Sequence, residues 1–187
     1  MILFIHGFAS CGLGDKSRTL IAHFGRDQVL TPDLSHDPAA AVAQLTGLRD
    51  SHPVDLLVGS SLGGHYATWL NRSRPLPTVL INPAVDPAEL LAPYVGPHMR
   101  WCDGAPFELT AEHLRTLRAQ HRTVLDPGEH YLVLLQTGDE LLDYRVAAAR
   151  YRDHDVVVEP GGNHRFENLA DYLPRIQAFR AAHRPTA

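Results

Sequence analysis

Three polar residues in distant parts of the chain have the side chains that nucleophilic acyl chemistry requires. Ser61 lies in residues 59–63, GSSLG, which fit the pattern G-x-S-x-G. In a nucleophile elbow this pattern places the serine at a strained turn between a strand and a helix, so that its hydroxyl projects from the sheet. Because a serine hydroxyl is a poor nucleophile at neutral pH, it needs a histidine base, which a carboxylate orients.

His164 is the candidate base, because it lies on a glycine-rich turn directly after an apolar segment. The candidate carboxylate is Asp139, which follows the end of another apolar segment, with Glu140 and Asp143 as rivals. Asp139 lies nearest the strand end, whereas Asp143 is predicted to cap the next helix. The chain order Ser, then Asp, then His is the one that this kind of elbow enzyme uses.

Two backbone amides are predicted to stabilise an oxyanion beside Ser61. The amide of Leu62 lies at the start of a helix, where N–H groups carry partial positive charge. The second donor in such sites comes from the loop after an early strand, which is often marked by His-Gly, and this predicts the amide of Phe8. His6 itself is expected to brace that turn by hydrogen bonding rather than to transfer protons.

The sequence around these residues predicts strands and helices in alternation. Six apolar segments predict strands, at residues 1–5, 28–34, 54–58, 78–81, 130–136 and 155–159. Helical spacing or capping signals follow at residues 16–24, 38–48, the elbow helix from Leu62, 110–121, 144–153 and 167–183. This alternation predicts right-handed βαβ units and a parallel sheet, whose ligands collect at the carboxyl ends of the strands. We expect one domain over residues 1–187, with three layers (α/β/α) and a mostly parallel sheet of about six strands.

Residues 83–110 form the least regular segment, with five prolines and several aromatic side chains. The segment is too short for a large cap domain. It leaves the carboxyl end of a strand, so it either folds over Ser61 to form an acyl or alcohol pocket or is an ordinary surface excursion.

Composition excludes several other classes of protein. The formal net charge is −4 and there is no cluster of lysine and arginine, which argues against nucleic-acid binding. No apolar run is long enough for a membrane span, and the first five residues predict a core strand rather than a secretion signal. Cys11 and Cys102 are the two cysteines, and we expect both thiols to be reduced in a cytoplasmic protein. The sequence has no nucleotide-binding fingerprint and no convincing set of metal ligands, so neither a cofactor nor a metal is predicted.

Five sequence blocks that span nearly the whole chain carry a family resemblance. They are HGF at 6–8, VGSSLGGHYATWL at 58–70, INPAVDPAELL at 81–91, QTGDELLDYR at 136–145 and GGNHRF at 161–166. Through them the chain resembles the small bacterial YqiA-like esterases of the α/β-hydrolase superfamily. The resemblance implies an α/β-hydrolase fold without a large cap domain and a triad of Ser61, Asp139 and His164.

The leading functional hypothesis is a serine esterase that hydrolyses short to medium acyl esters, and acyl thioesters as a further class, through an acyl-enzyme intermediate. Two alternatives remain: a hydrolase-fold binding or regulatory protein without turnover, and an acyltransferase or perhydrolase. The expected partner is a small-molecule ester or thioester, with no nucleic acid and no membrane, and the protein is expected to be a monomer or a small homo-oligomer.

Overall fold

A six-stranded parallel sheet forms the centre of the molecule in the computed structural model, which describes residues 1–184. Its strands, numbered in chain order, are β1 Ile2–Ile5, β2 Val29–Leu30, β3 Leu56–Ser60, β4 Thr78–Ile81, β7 Tyr131–Gln136 and β8 Asp155–Glu159. They run in the order β2-β1-β3-β4-β7-β8, and every neighbouring pair is parallel. Every residue of β1, β3, β4 and β7 is buried, because helices cover both faces of the sheet.

Seven α-helices are found within residues 1–184: α1 Asp15–Phe24, α2 Pro38–Ser51, α3 Leu62–Leu70, α4 Pro87–Leu91, α5 Ala111–Ala119, α6 Tyr144–Arg150 and α7 Leu173–Ala182. Side chains from α2, α3, α5 and α6 pack on one face of the sheet, and those from α1 and α7 pack on the other. Successive residues of β1 alternate between the two cores, with Leu3 and Ile5 on one side and Ile2 and Phe4 on the other. The predicted three-layer α/β fold is confirmed.

Among the predicted elements that are shorter than expected, two differ most from the structure. The strand predicted at 28–34 pairs only at Val29–Leu30, because the next residues bond elsewhere: the Leu34 amide donates to His6 Nε2, and Asp33 accepts from the Gly12 amide. The helix predicted at 167–183 begins as a 3-10 turn at Leu169–Tyr172, and α7 follows. Pro174 fits this boundary, since the first turn of a helix does not need its missing N–H.

The irregular segment contains a second, two-stranded antiparallel sheet. Its strands are β5 Gly96–Met99 and β6 Pro106–Leu109, which form a hairpin. Trp101, in the turn of this hairpin, donates its backbone N–H to the Ala9 carbonyl at 2.9 Å. The hairpin therefore lies over the loop that follows β1. Across residues 1–184, none of the helices is long and apolar enough to span a membrane.

Candidate active site

Ser61 lies at the turn between β3 and α3 with a backbone φ of 54°. This left-handed conformation is strained for a serine, and the neighbouring strand stabilises it through hydrogen bonds on both sides of the residue. The Ser61 amide donates to the Ile81 carbonyl at 3.1 Å, and the Ser61 carbonyl accepts from the Ala84 amide at 3.0 Å. The geometry is that of a nucleophile elbow.

The two glycines of the G-x-S-x-G pattern are required by close packing. A Cβ atom at Gly63 would collide with the Ile5 carbonyl, and one at Gly59 would collide with the Gly63 carbonyl. Any larger residue at either position would push α3 away from β1 and β3. The pattern therefore lets the helix start directly behind the serine.

A hydrogen bond joins His164 and Asp139 at the carboxyl end of the sheet. The distance between His164 Nδ1 and Asp139 Oδ2 is 2.8 Å, and the side chains are 15% and 2% exposed, respectively. The other carboxylate oxygen of Asp139 accepts the amides of Leu141 and Leu142, both at 2.9 Å. One oxygen is thus fixed by the backbone, while the other faces the imidazole.

The two rival carboxylates have other contacts. Asp143 caps α6 by accepting the Arg145 amide at 3.0 Å, as its sequence position predicts. Glu140 accepts the backbone amide of His164 at 2.9 Å, and this hydrogen bond holds the pKa of the Glu140 carboxyl below its usual range. Glu140 therefore bonds the backbone of His164, whereas Asp139 bonds the imidazole of His164.

The two candidate oxyanion donors flank Ser61. Leu62 is the first residue of α3. Phe8 follows Gly7, which packs against the side chain of Ser61. Within residues 1–184, neither the Phe8 amide nor the Leu62 amide donates a hydrogen bond to another protein group. Both amides are therefore free to bind an oxygen of a ligand.

His6 has the bracing contacts that the sequence analysis predicts. Its Nε2 accepts the Leu34 amide at 3.1 Å, so the proton lies on Nδ1, which donates to the Gly7 carbonyl at 2.9 Å. Burial lowers the pKa of the His6 imidazole and favours this neutral form. The side chain therefore fixes the turn that presents the Phe8 amide.

A cleft of about 330 Å³, counting the space open to solvent, lies beside Leu62 and Phe8. Residues from three segments line it: His6, Gly7, Phe8, Ala9, Leu34, Ser35, His36, Leu62 and Tyr66. Phe107 of the hairpin stacks on His36, with ring centroids 3.7 Å apart, and meets the Phe8 ring edge-on. Of the two alternatives for residues 83–110, the structure favours a partial cover of the site.

The expectation of two reduced thiols is wrong for this structure, in which Cys11 and Cys102 form a disulfide. Their Cα atoms are 6.3 Å apart, a separation that a disulfide spans, although the two residues are 91 positions apart in sequence. The sequence gives no sign of this pairing, because only the position of the hairpin over the Ala9–Gly14 loop brings the two residues together. Within the described part of the chain, the one group of three potential metal ligands is Cys11, Cys102 and Asp103, and its two sulfurs are bonded to each other.

Asn82 is a site residue that the sequence analysis missed. It follows β4 and connects the elbow with the loop of His164: its side-chain amide donates to the carbonyls of Asn163 and His164 at 3.1 and 3.4 Å. In the sequence, Asn82 is marked only by the Asn82-Pro83 pair at a strand end, which predicts a simple turn.

No hydrogen bond joins the Ser61 hydroxyl to the His164 imidazole directly within residues 1–184.

A parallel sheet with helices on both faces and a serine at the strand–helix turn defines an α/β-hydrolase fold, and solved structures agree. Est1E from Butyrivibrio proteoclasticus has a TM-score of 0.70 at 15% identity, over 97% of this chain and 88% of that one. The esterase domain of a Rhodothermus marinus protein has a TM-score of 0.67 at 21% identity, over 97% and 86% of the two chains.

The chain belongs to the uncharacterised protein family UPF0227, whose model matches residues 1–181. Its relatives include the UPF0227 protein YcfP of Salmonella paratyphi A, which is 26% identical over 96% of this chain and 98% of that protein. A UPF0227 protein of Shewanella woodyi is also 26% identical, over 96% of this chain and 99% of its own. These matches confirm the family resemblance inferred from the sequence.

Proposed function

We propose that the protein is a serine hydrolase of carboxylic esters with short to medium acyl groups, and that acyl thioesters are a second substrate class. Ser61 is the nucleophile, His164 the general base and Asp139 the residue that orients it. The amides of Phe8 and Leu62 form the oxyanion hole. A protein domain that shares the fold, from Rhodothermus marinus, is named an esterase domain.

The observation that carries the proposal is the 2.8 Å contact between His164 Nδ1 and the buried Asp139 carboxylate. An ionised carboxylate only accepts hydrogen bonds, so the imidazole proton lies on Nδ1. The lone pair of Nε2 is then available to take a proton from a serine hydroxyl. A surface histidine without such a partner would have no fixed tautomer.

The reaction has two stages. In the first, the Ser61 Oγ forms a bond to the substrate carbonyl carbon while its proton passes to His164 Nε2. The resulting oxyanion accepts hydrogen bonds from the Phe8 and Leu62 amides. Each of these donors is worth on the order of 3 kcal/mol of transition-state stabilisation. The bond to the alcohol or thiol then breaks, and the leaving group takes the proton from His164. In the second stage water attacks the acyl-enzyme in the same way, releasing the acid and restoring the serine.

The first test is covalent labelling with a fluorophosphonate probe. We expect labelling of Ser61 in the wild type and its loss in Ser61→Ala and His164→Ala. Ser60→Ala is the matched control, because Ser60 is the adjacent serine and ends β3 instead of occupying the turn. A folded wild-type protein that does not react would contradict the proposal and favour a binding protein.

The second test defines the substrate. Turnover of p-nitrophenyl esters of increasing chain length is measured beside that of acyl-CoA thioesters. We expect the highest kcat/KM for short to medium esters, because the hairpin closes part of the cleft. Product analysis with competing acceptors distinguishes hydrolysis from acyl transfer, and a dominant transfer product would contradict the hydrolase assignment.

A further inference from the structure

Asn82 is buried beside the candidate site and has a backbone conformation that few residues adopt. It is 2% exposed, and its backbone φ is +39°. Asparagine tolerates this left-handed region better than most residues, because its side chain forms local hydrogen bonds. A strained and fully buried polar residue at a strand end next to a reactive site is often functional.

The hydrogen bonds of Asn82 reach two other segments. Its Oδ1 accepts the backbone amide of Gln136 at 3.0 Å, and its backbone amide donates to the Leu134 carbonyl at 2.9 Å. Its Nδ2 donates to the carbonyls of Asn163 and His164 at 3.1 and 3.4 Å. The side chain thus joins the end of β4 to the end of β7 and to the loop that carries His164.

The residues on either side of Asn82 hold the nucleophile. Ile81 accepts the Ser61 amide at 3.1 Å, and Ala84 donates its amide to the Ser61 carbonyl at 3.0 Å. A displacement of residues 81–84 therefore moves Ser61, and a loss of the Asn82 side chain releases the carbonyl of His164. One short segment sets both positions.

The other hydrogen bonds of the His164 loop lead elsewhere. Gln136 Oε1 accepts the Asn163 amide at 3.0 Å, and the Gly161 amide donates to Thr137 Oγ1 at 2.8 Å. Glu140 accepts the His164 amide at 2.9 Å. These contacts tie the loop to β7 and to the residues that follow it. Within residues 1–184, Asn82 alone provides hydrogen bonds from the loop to the segment that holds Ser61.

We propose that Asn82 is a positioning residue that sets the separation between the Ser61 hydroxyl and the His164 imidazole. The inference rests on the proposed hydrolase function, because it concerns the approach of the base to the nucleophile. A misplacement of reacting groups by about 1 Å can lower a rate by about 100-fold even when the change lies away from the chemistry. Asn82 therefore acts on kcat through His164 and does not contact the substrate.

The test uses Asn82→Asp and Asn82→Gly. Asn82→Asp keeps an acceptor for the Gln136 amide and replaces the Nδ2 donor by an oxygen that faces two carbonyls. Asn82→Gly removes the whole side chain but adopts a positive φ without strain, so it remains informative if the first variant does not fold. We expect kcat to fall by about 10- to 100-fold in both variants with KM changed by less than about threefold, and fluorophosphonate labelling of Ser61 to slow in parallel.

The matched controls are Asn71→Asp and Asn71→Gly. Asn71 is also fully buried beside β4, but near its other end, where its Nδ2 donates to the Leu76 carbonyl and Thr78 Oγ1. These variants are expected to lower the melting temperature while kcat of the folded protein stays within about twofold of the wild type, because they do not touch the site.

The outcomes separate this inference from the function on which it rests. If the wild type neither reacts with the probe nor hydrolyses esters, the proposed function is wrong and the role of Asn82 with it. If the wild type is active and both folded Asn82 variants keep its kcat, only the positioning role is wrong. A rise in KM without a fall in kcat also overturns it, since that pattern indicates substrate binding.

Discussion

At the scale of single residues, the candidate acid has a carboxylate with two distinct tasks. The Oδ1 atom of Asp139 accepts two backbone amides, and the Oδ2 atom faces His164. Neither Glu140 nor Asp143 bonds the imidazole, since one accepts the His164 backbone amide and the other caps α6. The assignment among the three carboxylates can be tested with variants that keep the shape of each side chain.

We expect Asp139→Asn to lower kcat by about 10⁴-fold, because an amide N–H that faces Nδ1 stabilises the wrong imidazole tautomer. Asp143→Asn is the control, since asparagine is an equally good helix cap and should leave both kcat and the melting temperature nearly unchanged. Ester turnover measured for the two variants decides the matter. A larger loss of activity in Asp143→Asn than in Asp139→Asn would make Asp143 the acid.

Among the secondary-structure elements, the β5–β6 hairpin packs against the candidate site. It is attached to the loop after β1 by the Cys11–Cys102 disulfide and by the hydrogen bond from Trp101 to Ala9. An ion pair between Arg100 and Asp33 lies nearby at 3.8 Å. The hairpin thus contacts the loop that also carries the Phe8 amide, so its attachment bears on the candidate oxyanion hole.

Reduction of the disulfide is expected to destabilise the protein. In the loop-entropy description, a crosslink between residues 91 positions apart raises the free energy of unfolding by up to about 5 kcal/mol. Dithiothreitol should therefore lower the melting temperature of the wild type by several degrees. The Cys102→Ser variant should have this lower melting temperature both with and without dithiothreitol. Thiol titration of the denatured, unreduced protein checks the crosslink directly, and two reactive thiols there would contradict it.

At the scale of the whole molecule, stability is expected to depend on pH through buried imidazoles. His65, on α3, is 5% exposed, and burial together with the nearby His121 lowers the pKa of its imidazole to about 4. In the unfolded chain the pKa is about 6.5, so between these values the unfolded state binds a proton that the folded state does not. Folding stability from this group is therefore complete above about pH 6.5 and is lost as the pH falls toward 4.

The expected loss from His65 is about 3 kcal/mol in the free energy of unfolding between pH 6.5 and pH 4. Urea unfolding of the wild type and of His65→Gln at several pH values measures it. The variant should show a flatter dependence on pH, whatever its stability at neutral pH. His23→Gln is the control, since it removes an imidazole that is exposed on α1. Equal slopes for the wild type and His65→Gln would show that His65 is not the group responsible.

Local patterns of residues were enough to predict the central strands, the elbow and the candidate acid. Apolar runs define the central strands because both faces of a parallel sheet are buried, and Thr78–Ile81 and Asp155–Glu159 have the predicted bounds. The elbow around Ser61 follows from its glycines, and the position of Asp139 next to His164 follows from the convergence of strand ends at one edge of the sheet.

Contacts between segments that are distant in sequence could not be predicted from such patterns and are known from the three-dimensional arrangement alone. The Cys11–Cys102 pairing, the hairpin over the cleft and the tether from Asn82 to His164 all join residues dozens of positions apart. The early end of β2 belongs with them, because Leu34 gives its amide to His6 instead of to the sheet. Such contacts produce no periodic pattern in the sequence, since each depends on the relative positions of two loops that are distant in sequence.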